Sequence, residues 1–208
     1  VVEEEKEMSE FHYQTLDPRR AGLVQRYHTW PTLKPQDVAS HTWQVIRILL
    51  AIWPEAPQDL IVYAMFHDIG EVVTGDLPYP VKAGNEVLRT AVNAIDDHAC
   101  LEMGQRFMVP VADMPEILGP GGLTKTLFKL CEMIEMWEHG LHECNLGNRY
   151  AAAIVQRCWE QVMKLNTQLV EASFGDSDLL LIVTRANDYM RRRVGYEQEV
   201  YDGADHNV

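Results

Sequence analysis

At 208 residues with 47% hydrophobic content, the chain is long enough for one domain with a substantial core and too short for two ordinary ones. A formal net charge of -13 and a pI near 5.0 oppose the counterion release that holds most nucleic-acid binders to their ligand, and no Lys/Arg stripe overrides it. Polymeric DNA or RNA is not the expected ligand, whereas a small anion remains open to a pocket made positive by a metal ion and a few arginines.

In chain order, residues 1–10 are acidic and poor in aromatics and read as a flexible terminus, with the folded domain expected over 11–200. A first helix is expected over Arg19 to His28, followed by a loop punctuated by Trp30, Pro31 and Pro35, then a helix from Asp37 to Trp53 that Pro54 closes. The next helix runs from Gln58 to Val73, and Thr74-Gly75-Asp76-Leu77-Pro78-Tyr79-Pro80 is too rich in turn formers for a regular element. Helices follow over Asn85 to Met108, Thr124 to Cys144, Tyr150 to Phe174 and Ser177 to Arg193, with a long loop at Met114 to Gly122 and a flexible tail over 201–208. No strand pattern, repeat or domain boundary is evident, so the fold class is all-α, a single-domain helical bundle with one core.

Cys100, Cys131, Cys144 and Cys158 lie far apart, with no CxxC pair, and read as small buried hydrophobes. The apolar stretch Val45 to Trp53 is broken by Arg47 and stops at Pro54, so no membrane span is expected and a cytoplasmic location is the default.

The residues that carry chemistry gather on three helices and one loop. His41 shares a stripe with Val38, Val45, Leu49 and Ile52 and so points inward; read alone, a histidine so placed is more often a hydrogen-bonded core residue than a metal ligand. On the following helix Leu60, Ala64, His67 and Glu71 form one inward row, and Asp68 stands beside His67. A buried carboxylate next to a buried imidazole is costly to desolvate unless the two pair or share a cation. Glu71, one turn beyond His67, brings a second carboxylate to the place and suits an acid or base.

His67-Asp68 within the string HDIGEVVTGDLPYPVK resembles the signature of the HD-domain phosphohydrolase superfamily, and the extended string is similar to bacterial 5'-deoxynucleotidases and phage deoxyadenosine triphosphohydrolases. The resemblance implies an HD-type helical fold and metal ligation by His41, His67, Asp68 and a distant acidic residue. The family's last ligand is an aspartate in Lys-x-x-Asp, where this chain reads Lys129-Leu130-Cys131-Glu132. Glu132 therefore matches the ligand position with one extra methylene, as a ligand or an outer group, and Glu135 and Glu138 lie nearby as substitutes. Arg26-Tyr27 stands where those nucleotidases carry an Arg-aromatic pair before the first histidine, which implies a phosphate clamp and a wall for the nucleoside, with Trp30 adding to that wall. The plainer reading of the same pair is a surface arginine beside a packing tyrosine.

Two imidazoles with two carboxylates suit one divalent transition ion, Co, Mn, Fe or Zn, with a second ion, Mg, accompanying a triphosphate substrate. The mechanism expected is attack of metal-activated water on the α-phosphorus of a deoxynucleotide, with Arg26 neutralising the phosphate and Glu71 handling the proton. Asp76 would hold the water or the leaving oxygen and Lys82 would add charge compensation, unless their loop is only structural. The product is phosphate or tripolyphosphate according to the substrate. The resemblance also suggests a homodimer or higher homo-oligomer, in the host cytoplasm if phage-encoded. The rival readings are an HD hydrolase of another nucleotide phosphoester and a catalytically altered HD module that binds nucleotide or metal for regulation, the latter kept open by Glu132.

Overall fold

The computed structural model describes residues 17–78, 81, 84–108, 114–119 and 121–204, with side chains described to residue 195. Among these the chain is helical: α1 Val38–Ile52, α2 Gln58–Phe66, α3 Glu71–Thr74, α4 Glu86–Phe107, α5 Leu123–Asn145, α6 Ala152–Ala172 and α7 Ser177–Ala204. The all-α class is as the sequence indicates. Two compact units form, one from the described parts of Val1–Trp43 and Ile61–Asp113, the other from Gln44–Leu60 and the described parts of Met114–Val208, where composition alone suggested one core. No described helix is long and apolar enough to cross a membrane.

The first unit begins with a correction. Instead of a helix over Arg19 to His28, a short 3₁₀ turn covers Pro18–Leu23, and Gln25–Arg26 (β1) pairs antiparallel with Gln36–Asp37 (β2). The reason is local: Asp17 caps the turn by accepting from Arg19 N, and Pro18 sits where a lost N–H costs nothing, but Val24 is extended and stops propagation. A ladder of two residue pairs is too short to announce itself in an alternating pattern. Asp37 then accepts from Ser40 N at 2.7 Å at the start of α1, and Val38 N donates to Val24 O at 3.0 Å. The core of this unit is Ala21, Val38, Ile69, Val72, Ala99 and Met103, with Phe66 and Cys100 against its edge. Helix α4 starts where expected because the Asn85 side chain accepts from Leu88 N at 3.0 Å, and ends at Met108 in the left-handed region.

The second correction concerns the helix expected over Gln58 to Val73. It stops at Phe66; residues 67–70 form a turn bonded from residue i+3 to i, as in Ile69 N to Phe66 O at 3.0 Å and Glu71 N to Asp68 O at 3.1 Å, before the single turn of α3. Gly70 explains the break. A Cβ on it would lie 2.7 Å from both Cα and Cβ of Asp96, so the chain approaches α4 as only glycine permits.

In the second unit α5 lies along α6, with Gly140 close enough to Val155 that an added Cβ would come 2.9 Å from its Cγ2 and with Trp137 and Trp159 ring centroids 4.9 Å apart. Leu49, Ile52, Leu60, Leu127, Leu130, Ile134, Leu169 and Leu179 are buried there. Arg47 donates to Glu138 Oε2 at 2.6 Å and to the Tyr189 hydroxyl at 2.8 Å, while Tyr189 donates to Glu138 Oε1 at 2.6 Å. Glu138 is thus engaged in an ion-pair network. Helix α7 continues past Arg193 to Ala204, into the segment read as a tail. Cys131 and Cys158 are buried as expected, but Cys100 and Cys144 only partly so.

Candidate metal centre and active site

The first unit brings His41, His67 and Asp68 together. One ligand atom from each lies within 4.8 Å of the others. His41 comes from the first turn of α1, wholly buried; His67 and Asp68 come from the turn that follows α2. Asp68 Oδ2 faces His67 Nε2 at 3.4 Å and His41 Nε2 at 3.6 Å, and the two imidazole centroids are 5.6 Å apart.

The donor set fits a metal ion. Donors each about 2.1 Å from a tetrahedral ion stand about 3.4 Å apart, close to the separations seen here. His67 is also oriented as a ligand. Its Nδ1 lies 2.8 Å from Ala64 O, and since a carbonyl only accepts, Nδ1 carries a proton there, so that Nε2, the nitrogen facing Asp68, is the one that offers a lone pair whenever the ring is neutral, as a metal requires. The Tyr63 ring, on α2, flanks it with ring centroids 6.4 Å apart.

Basic groups around Asp68 hold it ionised. Burial raises the Asp68 carboxyl, but His67, His41 and Arg26 more than reverse that and hold it well below the usual carboxylate range. Arg26, at the end of β1 with its side chain only 11% exposed, donates from Nη1 to Asp68 Oδ2 at 3.1 Å. The residue after it, Tyr27, has φ 57°, a conformation non-glycine residues rarely adopt. Its N–H donates to Asp76 Oδ2 at 3.3 Å and its carbonyl accepts from Trp30 N at 2.8 Å, so a turn strained at Tyr27 is tied to the loop after α3.

Glu71 is buried at 5% exposure and lines a cavity of about 290 Å³ with His67, Asp68, Gly70, Asn93, Asp96 and Asp97. The expected row of Leu60, Ala64, His67 and Glu71 on one helix is therefore replaced by two elements meeting at a turn. Asn93, Asp96 and Asp97 were not singled out from the sequence. Their spacing on α4 reads as a solvated polar face, and Asn93 and Asp97 are exposed; only Asp96, against Gly70, is partly covered, which no sequence pattern announces. Burial, then the charge of Asp96, push the neighbouring Cys100 thiol up to about 11, which keeps it neutral. Trp30 is 38% exposed, and Lys82 lies outside the described residues. Glu132 belongs to the second unit, where its carboxylate accepts from Lys129 Nζ at 3.1 Å.

Residues 17–174 match the family model described as 5'-deoxynucleotidase YfbR-like. The chain belongs to the YfbR-like 5'-deoxynucleotidase family. It is 30% identical over 148 residues to the dATP triphosphohydrolase of Salmonella phage PMBT28, a match spanning 61% of this chain and 69% of that one. It is 31% identical over 96 residues to a 5'-deoxynucleotidase of Vibrio parahaemolyticus, spanning 40% of this chain and 50% of that one. Among solved structures, the Cyanophage S-2L HD phosphohydrolase DatZ, bound to dA and one catalytic Zn²⁺ ion, superposes with a TM-score of 0.54 at 21% identity over 88% of this chain and 95% of that one. An HD-domain phosphohydrolase from Listeria innocua gives a TM-score of 0.58 at 14% identity over 91% of this chain and 98% of that one. These two likenesses show the fold. With the family comes the reaction class: the chain is a metal-dependent phosphohydrolase of deoxynucleotides.

Proposed function

We propose that His41, His67 and Asp68 hold one divalent transition ion and that the chain hydrolyses a deoxynucleotide at its α-phosphorus. The observation that carries the reading is the convergence of two imidazole Nε2 atoms on one carboxylate oxygen, with His67 Nδ1 already committed to Ala64 O. An ion bound there would supply a hydroxide nucleophile near neutral pH and charge for the phosphate. The name of the DatZ structure supports zinc, and the donor set suits Co, Mn or Fe as well. Glu132 as a fourth ligand is supported by its match to the Lys-x-x-Asp pattern alone.

The protein's own groups have separable tasks. Arg26 sits beside Asp68 Oδ2, so its guanidinium meets a phosphate that approaches the donor set and offsets its charge. Glu71, buried in the cavity wall next to His67 and Asp68, takes the proton from the attacking water and delivers it toward the leaving 5'-oxygen. Asp76 holds the Tyr27 backbone and thereby sets the Arg26-Tyr27 segment over the centre, with Tyr27 and Trp30 as the nucleoside wall. Lys82 adds charge compensation.

The phage match is the longer one, 148 residues against 96, and favours a deoxynucleoside triphosphate, with dATP as the first candidate and Mg accompanying its phosphates. A deoxynucleotide substrate points to a cytoplasmic pool, that of the host for a phage-borne gene. The test is product analysis in ¹⁸O-water with the four deoxynucleoside mono- and triphosphates. Label in released phosphate or tripolyphosphate, with deoxynucleoside as the other product, supports attack at the α-phosphorus. Label in the nucleoside 5'-hydroxyl, or orthophosphate released from a triphosphate with the deoxynucleoside diphosphate left behind, overturns it, while pyrophosphate with label in the deoxynucleoside monophosphate keeps the α-phosphorus and overturns the 5'-oxygen as leaving group.

A further inference from the structure

Asp96, on α4, touches α3 at both ends. At the leading end the backbone of Gly70 approaches so closely that a Cβ would lie 2.7 Å from Asp96 Cα and Cβ. At the trailing end Thr74 Oγ1 donates to Asp96 Oδ1 at 2.9 Å. Between these holds is the single helical turn Glu71–Thr74, and a helix that short does not keep its geometry without outside contacts. Asp96 also lines the cavity that Glu71 shares with His67 and Asp68. An apolar residue would pack on Gly70 equally well; a carboxylate that accepts a side-chain hydroxyl fixes both distance and direction.

We propose that Asp96 is a positioning residue for catalysis: through Gly70 and the Thr74 hydroxyl it holds α3 in place and so registers the Glu71 carboxylate against His67 and Asp68. The proposal rests on the reading of Glu71 as the proton-handling group. Misplacement of a reacting group by about 1 Å costs on the order of 100-fold in rate, so loss of one tether is expected to cost on the order of 10- to 100-fold.

The experiment compares Thr74→Val, Asp96→Ala and their double variant with the conservative Thr74→Ser and Asp96→Asn, each of which retains the hydroxyl or the acceptor oxygen. Expected are a 10- to 100-fold lower kcat for the first two, KM and bound metal within about twofold of the parent, and a double variant no worse than the poorer single. The Ser and Asn variants recover most of the rate. In the metal-free protein, amide exchange at Gly75, whose N–H donates to Glu71 O at 2.8 Å, is faster in Thr74→Val than in Thr74→Ser. Full kcat in a folded Thr74→Val, a loss that follows metal content, or additive singles would overturn the proposal while leaving the role of Glu71 intact. Should Thr74→Val or Asp96→Ala fail to fold, a Ser or Asn variant that folds yet loses rate as Glu71→Gln does would overturn it too. A Glu71→Gln variant at the parental rate would remove the underlying reading and this one with it.

Discussion

Asp68 is the residue on which the centre turns, because Arg26, His41 and His67 all face its Oδ2. In the metal-free protein, Asp68→Asn strands the Arg26 guanidinium, and loss of one partner from such a pair costs on the order of 3 kcal/mol of stability at neutral pH, measurable by urea unfolding. The sign with pH follows from a folded pKa held below the ordinary value: the stabilisation is fully present above about pH 4, declines below it and vanishes once the pH passes the depressed pKa. Parent and variant unfolding free energies should therefore converge in acid; a constant gap from neutral to acid pH would contradict the assignment. Gly70 gives a second test. Gly70→Ala drives a Cβ into the α4 backbone, which cannot yield as a side-chain tip does, and should destabilise by about 1–3 kcal/mol while lowering kcat. Both residues belong to a motif that is conspicuous in the sequence. Asp96 is not, since Gly70 and Thr74, which it meets, lie more than twenty positions away and only the fold brings them to it.

The helices over Val38–Ile52, Glu86–Phe107, Leu123–Asn145 and Ala152–Ala172 were legible within a few residues, because caps such as Asn85 and stops such as Pro54 act locally. The break at His67–Gly70 was not. Its residues keep the helical spacing of apolar groups, and what ends the helix is a tertiary contact with α4 rather than a local breaker. That break matters for the site, because it places His67 and Asp68 on a turn and Glu71 on an element of its own. The strand pair at Gln25–Arg26 and Gln36–Asp37 was missed for a different reason, being too short to show alternation, yet it carries Arg26 to Asp68. The expected loop at Met114 to Gly122 is pinned at its end by Thr124, whose buried hydroxyl oxygen accepts from Ile117 N at 2.9 Å and Leu118 N at 3.0 Å. Thr124→Val leaves two backbone donors to find new partners and should cost about 1–3 kcal/mol in thermal or urea unfolding. A variant as stable as the parent would show that the loop is held elsewhere.

A net charge of -13 means that the molecule as a whole repels the anionic substrate its centre is built to take. Attraction from Arg26 and a cation held at the centre is local, while repulsion is long-ranged and screened within a Debye length of about 8 Å at physiological salt. The kcat/KM for a deoxynucleoside triphosphate should therefore rise by a few-fold between roughly 0.01 and 0.15 M monovalent salt; a steep fall would point instead to an extended basic approach surface. The acidic balance was readable at once from composition, whereas the division into two compact units was not, because α1 and α2 each run from one unit into the other with unbroken helical periodicity. The proposed activity depends on His41, His67 and Asp68 forming one metal centre that drives deoxynucleotide hydrolysis. The measurement that meets it most directly is titration of chelator-stripped protein and its His67→Ala variant with zinc, cobalt or manganese, with bound metal and dATP turnover followed in the same samples. One ion bound per chain, turnover rising in step with it, and neither seen in His67→Ala is the predicted result. Turnover indifferent to metal, or an ion bound as tightly by His67→Ala, would contradict the account.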